Sequence, residues 1–231
     1  MADLRARERR SKFRKIYCEF REFTMIPETN YVNTLEAASL ATKIKGCVVE
    51  CGVWRGGMVA GLSAVLGRDR AYYLLDSFEG LPPAQKIDGA AALNWQRRVD
   101  GPTFYDNCAA SPCYAIAAMR RAGATNFKLV KGWFEDTLPH IEFGEPIAVL
   151  HFDGDWYQSA MTCLVHLYDK MAPGGIIVFD DYYVWDGCSR ALHDFLSSRS
   201  AAERIRTVGD ICCLRKADPH ESCTAETKLI R

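Results

Sequence analysis

The sequence predicts an α/β fold: a mostly parallel sheet with helices on both faces and an antiparallel hairpin at its C-terminal end. Three observations predict it. Two β-type apolar runs, 147–152 and 176–179, each end in a pair of acids, and the ~25 residues between the pairs suffice for one crossover helix. A short apolar strand over 46–51 meets a glycine-rich turn (Gly52, Gly56, Gly57) and then a helical stretch, and a second strand ends at Asp76, 20 residues after Gly56. Near the end, 204–208 and 211–215 flank a Gly209-Asp210 turn, the pattern of a hairpin.

Composition bounds the rest. The 231 residues suit one α/β domain with a substantial core. Lys plus Arg and Asp plus Glu both number 29, so no global basic field points to nucleic acid. No apolar run approaches the roughly 18 residues of a membrane span. The basic N-terminus lacks the apolar core of a secretory signal, and Asp3 and Glu8 argue against a mitochondrial presequence. The ten cysteines sit mostly in apolar runs with no Cys-x-x-Cys pair, as reduced core thiols of a cytoplasmic protein would.

Taken in order, residues 1–24 form a basic arm, expected to be a frayed helix or solvated segment, with an oligomer contact or a lid as the alternative. A helix over 32–44 has Leu35, Ala38 and Leu40 on one face. After the strand at 46–51, the glycine turn permits close approach of a ligand to backbone N–H groups at the start of a helix over 58–66. Its spacing departs from the Gly-x-Gly-x-x-Gly dinucleotide fingerprint. The strand 71–76 delivers Asp76 to the position where a nucleoside cofactor's ribose hydroxyls are usually bound, with Phe78 beside it. Residues 82–110 lack periodicity and carry Pro82, Pro83, Gly89, Gly101 and Pro102; a connection this long is read as a substrate-facing lid with a short helix over 90–98. A helix over 111–121 begins with the cap Ser111 and Pro112. A third strand covers 127–132, followed by a turn and short helix over 133–139. The crossover helix is expected over 158–171 and ends at Pro173-Gly174-Gly175, and a last helix runs from 186 or 187 to 198. The main domain thus spans 25–216, and 217–231 is a polar tail.

The acids carry the chemistry. Adjacent parallel strands bring Asp153, Asp155, Asp180 and Asp181 to the carboxyl edge of one sheet, where α/β proteins bind ligands. Carboxylates crowded there repel one another unless a cation sits among them, and a hard divalent ion is the economical answer; helix caps and solvated strand ends are the alternative. His151 shares the face of Asp153 and reads as a core histidine. Trp54, Trp133 and Trp156 flank this edge, where packing explains them as well as ligand stacking does.

Five blocks carry a closer resemblance: the turn from Glu50 to Gly57, the stretch after Asp76 (Ser77, Phe78, Glu79), the turn Gly132-Trp133-Phe134, the pair Asp153 and Asp155 before Trp156, and Asp180-Asp181-Tyr182. In this order, over roughly 25–215, they resemble the macrocin (tylosin-type) O-methyltransferase family of class I S-adenosylmethionine-dependent methyltransferases. The resemblance implies a Rossmann-like seven-stranded sheet and an S-adenosylmethionine- and Mg²⁺-dependent O-methyltransferase acting on a small-molecule hydroxyl, commonly of a natural-product sugar. It implies Asp153, Asp180 and Asp181 as metal ligands and Asp155 as the catalytic base. It places Met25, Asn30, Glu50, Gly52, Val53, Trp54, Asp76, Ser77, Phe78, Gly132, Trp133, Phe134 and Asp153 at the cofactor. A homodimer or higher homo-oligomer is expected, with no nucleic acid or membrane partner. The chain departs at Tyr182-Tyr183-Val184-Trp185, where the family often has Tyr-Gly-His-Trp, so a histidine contact is not expected there. The segment 82–110 has no counterpart that would carry over an acceptor. Transfer to a catechol or other phenol, a nicotinamide dehydrogenase and a non-catalytic binding protein are the alternatives.

Overall fold

The computed structural model describes residues 2–199 and 203–218. Its frame is a seven-stranded sheet of β1 (Cys47–Cys51), β2 (Tyr72–Asp76), β3 (Phe127–Lys131), β4 (Ile147–Phe152), β5 (Met171–Phe179), β6 (Arg206–Val208) and β7 (Ile211–Arg215). The order is β3-β2-β1-β4-β5-β7-β6. The first five strands are parallel, β7 runs antiparallel to β5, and β6 pairs antiparallel with β7 at the edge. Strand order reverses between β1 and β4, which makes their carboxyl ends the crevice of this sheet.

The two faces are covered by different helices. Val48, Leu74, Val149, Ile176 and Val178 face α1 (Ala2–Phe20), α2 (Glu28–Ser39), α3 (Gly57–Leu66) and, further out, α5 (Pro112–Arg121). Val49, Leu75, Leu150, Phe152, Ile177 and Phe179 face α7 (Tyr157–Leu167) and α8 (Asp186–Ser198). The near-continuous apolar strands follow from this double coverage. Shorter helices, α4 (Gly89–Arg97) and α6 (Phe134–Thr137), lie on the connections.

Three expectations need correction. The basic N-terminal segment is a 19-residue helix docked on α2 and α3 rather than a solvated arm. Phe13, Ile16 and Phe20 form its buried stripe at helical spacing, while Arg9 and Arg10 pair with Glu36 and Arg14 with Glu28. Helix α2 starts at Glu28, directly after Pro27, earlier than its apolar periodicity suggested. Pro173-Gly174-Gly175 is not the turn after the crossover helix. That helix passes into a 3₁₀ turn at Tyr168–Lys170, and the Pro-Gly-Gly run lies inside β5 as a bulge. There the register against β4 jumps from Ile147↔Met171 to Val149↔Ile176, and Lys216 exchanges backbone hydrogen bonds with Gly174 and Gly175. The polar tail beyond 218 lies outside the described residues.

Candidate active site

A cavity of about 960 Å³ opens at the carboxyl ends of the central strands. Its first wall is the glycine turn after β1. Gly52 has φ +86°, and a Cβ there would lie 1.7 Å from the carbonyl oxygen of Asp153, so only glycine lets the β1 and β4 turns touch. Asp76, at the tip of β2, holds this turn: its Oδ2 accepts the N–H groups of Val53 (2.6 Å) and Trp54 (2.8 Å), and its Oδ1 accepts that of Phe78 (2.6 Å). Trp54 (φ +48°) and Phe78 (φ +56°) are left-handed, a strained conformation these three bonds help to hold. Burial pushes the Asp76 carboxyl up and the backbone donors pull it back.

Met25, Asn30, Gly52, Trp54, Asp76, Ser77, Gly132, Trp133, Phe134 and Asp153 all line the cavity. Glu50, Val53 and Phe78, expected beside them, do not. Glu50 lies in β1 before the strand end, opposite His151 of β4, with its Oε1 3.1 Å from His151 Nδ1 and both side chains fully buried. Burial pushes the Glu50 carboxyl up, with the His151 contact opposing. Val53 contributes its backbone, and Phe78 turns into a neighbouring cleft.

The four acids meet on the floor of the cavity. Carboxylate oxygens of Asp153, Asp155 and Asp181 lie within 4.8 Å of one another, a grouping that does not include Asp180. This differs from the expected trio of Asp153, Asp180 and Asp181. Asp181 and Asp180 are 8% exposed, and Oδ2 of the first and Oδ1 of the second have no partner. Burial pushes the carboxyls of Asp153 and Asp181 well up, and the negative charges around them push further. Burial also raises Asp180, with His151 opposing. A divalent cation would relieve both the repulsion and the unpartnered oxygens, so the donor set fits a hard, oxygen-liganded metal. Asp155 has φ +58°, and its Oδ1 accepts the indole N–H of Trp185 at 2.7 Å. Burial pushes its carboxyl to about 7, the Trp185 hydrogen bond opposing.

Sequence reasoning missed the opposite wall. Trp95 of α4 and Trp185 join Trp156 in a cluster of ring centroids 5.4–6.2 Å apart, and all three line the cavity. A tryptophan on the short helix of the 82–110 segment was the available signal. That segment is fastened to the acidic turn: Asp88 accepts the N–H of Tyr157 at the start of α7 (2.7 Å), and Pro82 accepts the indole N–H of Trp156 (2.9 Å). Val184 lines the cavity as well.

This sheet order, with its cavity at the β1/β4 crevice, is the architecture of the class I S-adenosylmethionine-dependent methyltransferases. The chain aligns over 81% of its length with 81% of the O-methyltransferase NovP, at a TM-score of 0.68 and 27% identity. Residues 20–216 match the macrocin O-methyltransferase (TylF) family model, and the chain belongs to that family, whose members are O-methyltransferases that use S-adenosylmethionine. It is 31% identical over 191 residues to mycinamicin III 3''-O-methyltransferase of Micromonospora griseorubida, covering 76% of this chain and 70% of the relative. It is 34% identical over 176 residues to the 8-demethyl-8-(2,3-dimethoxy-alpha-L-rhamnosyl)-tetracenomycin-C 4'-O-methyltransferase of Streptomyces olivaceus, covering 73% of this chain and 65% of the relative.

Proposed function

We propose that this chain moves a methyl group from S-adenosylmethionine to a sugar hydroxyl of a natural product, with Mg²⁺ bound at the aspartate cluster. The observation that carries the reading is the meeting of two features in one cavity: the Asp76-braced glycine turn and four acids from adjacent strand ends. The rhamnosyl group in the name of the Streptomyces olivaceus relative supports a sugar acceptor.

S-Adenosylmethionine supplies a methyl group on a sulfonium, an electrophile with a good leaving group. The protein's part is to align the acceptor oxygen and take its proton. Met25, Asn30, Asp76, Ser77 and the Gly132-Trp133-Phe134 turn would line the nucleoside half of the cavity. The indoles of Trp95, Trp156 and Trp185 would exclude water from the acceptor half. Asp155 suits a general base: Trp185 holds its Oδ1, so that Oδ2 is left for the hydroxyl. Asp153, Asp180 and Asp181 would hold Mg²⁺, a Lewis acid that makes a bound hydroxyl more acidic.

The convergence of Asp153, Asp155 and Asp181 favours a second assignment, in which Asp155 is a ligand and Asp180 supports from outside. Calorimetric Mg²⁺ titrations separate the two. On the first assignment Asp180→Asn weakens the metal at least about tenfold and Asp155→Asn leaves it nearly intact while lowering kcat about 10²- to 10⁴-fold; on the second the metal effects exchange. The reaction itself is tested with purified protein, S-adenosylmethionine and a panel of glycosides and phenols. Glycoside methylation that stops in EDTA and returns with Mg²⁺ is expected. Turnover of phenols alone would move the acceptor to the aromatic class, and full activity in chelator would remove the metal from the mechanism.

A further inference from the structure

A second cleft, about 510 Å³, lies across a shared wall from the main cavity. The wall is Trp54 and Tyr105, whose rings meet edge to face at 5.8 Å and line both spaces. Beyond it the cleft is lined by Arg55, Phe78, Asp106, Ser111 and Tyr114 among others. Tyr105 through Cys108 carry four successive left-handed φ values from +46° to +64°, a conformation that costs energy in residues other than glycine.

Arg55 is the unusual group here. Its guanidinium carbon lies 4.3 Å from the Trp54 ring centroid and 4.7 Å from that of Tyr114. Two aromatic faces thus fix the guanidinium without accepting its N–H groups through carboxylate or carbonyl oxygens. Its Nε is buried without a hydrogen-bond partner, and among the described residues it makes no ion pair. Asp106 also borders the cleft but is exposed, where water screens its charge. A half-buried guanidinium held between two rings, with its buried Nε–H left without a partner, matches the planar fork that binds oxyanions.

We propose that this cleft binds an oxyanionic group of the acceptor, a carboxylate or a phosphate, with Arg55 as its anchor. The inference rests on the reading that the main cavity holds cofactor and acceptor, which places the second cleft one indole away from the bound substrate.

The test uses the full chain, loaded with S-adenosylhomocysteine, and follows the Arg55 Nε–H and Trp54 indole N–H resonances by ¹⁵N spectroscopy. Inorganic pyrophosphate and benzoate are titrated separately. A saturable shift of the Arg55 and Trp54 resonances is expected with at least one of them: pyrophosphate alone assigns a phosphate, benzoate alone a carboxylate, and both assign the shared oxyanion chemistry. Read from the Trp54 indole resonance, which both variants keep, Arg55→Gln should weaken that anion about tenfold or more, while S-adenosylhomocysteine affinity stays within about twofold. Arg55→Lys keeps the charge without the fork, should fall between, and supplies the assignment if Arg55→Gln does not fold. No saturable shift of either resonance with either anion at tens of millimolar, or a Trp54 shift undiminished in both variants, overturns the site. Failure of the wild-type chain to bind S-adenosylhomocysteine would instead overturn the proposed function, and the anion titration of the unloaded chain would still decide the cleft.

Discussion

Single residues decide how closely the two halves of the site approach. Gly52 is the sharpest case, because any side chain there meets the Asp153 carbonyl and the backbone is left-handed as well. Gly52→Ala should therefore separate the β1 and β4 turns: S-adenosylhomocysteine binding measured by calorimetry is expected to fall at least about tenfold. Unchanged affinity would mean that the turn relaxes without cost. The sequence announced this glycine, and it announced all four aspartates, because strand-end acids need only the strand pattern to be placed. It did not announce that Glu50 is turned away from the cavity. That depends on Glu50 standing opposite His151 across two strands, a register no local pattern encodes.

At the scale of elements, legibility followed local signals. Strands bounded by turns and the capped helix α5 were readable, with Ser111 accepting the Cys113 N–H as its cap. Helix α1 was misread because its seven Arg and Lys residues outweighed a sparse stripe of three apolar side chains. Burial is the larger effect, since exposed ion pairs contribute little. Phe20→Ala is expected to destabilise the protein by about 3–5 kcal/mol in urea unfolding, whereas Arg14→Ala should cost less than about 1 kcal/mol. The Pro-Gly-Gly bulge was misread for a different reason. Proline and glycine usually stop an element, but here five residues of β5 stand against two of β4, and the backbone of Lys216 satisfies the bulge from the other side. The 82–110 segment was expected as a lid; its tie by Asp88 to α7 was not legible, because that bond joins residues 69 apart.

At the scale of the whole molecule, the fold gathers negative charge at one buried place and leaves it to be balanced. Asp155 has a folded-state pKa of about 7 against an ordinary value of 3.8, and Asp153, Asp180 and Asp181 shift in the same direction. The folded state therefore holds protons that the unfolded chain has released. Their contribution to stability is complete below about pH 4 and is lost as pH rises toward 7. Metal-free protein is thus expected to melt at a lower temperature at about pH 8 than at about pH 5.5, and millimolar Mg²⁺ should raise the melting temperature more at the higher pH. A flat profile in EDTA would mean that these charges are already balanced. The same convergence concerns light as well as charge. All five tryptophans of the chain border the main cavity, and none stands elsewhere. Tryptophan emission therefore originates from this one place, so its quenching can follow occupancy of the pocket in real time without a label.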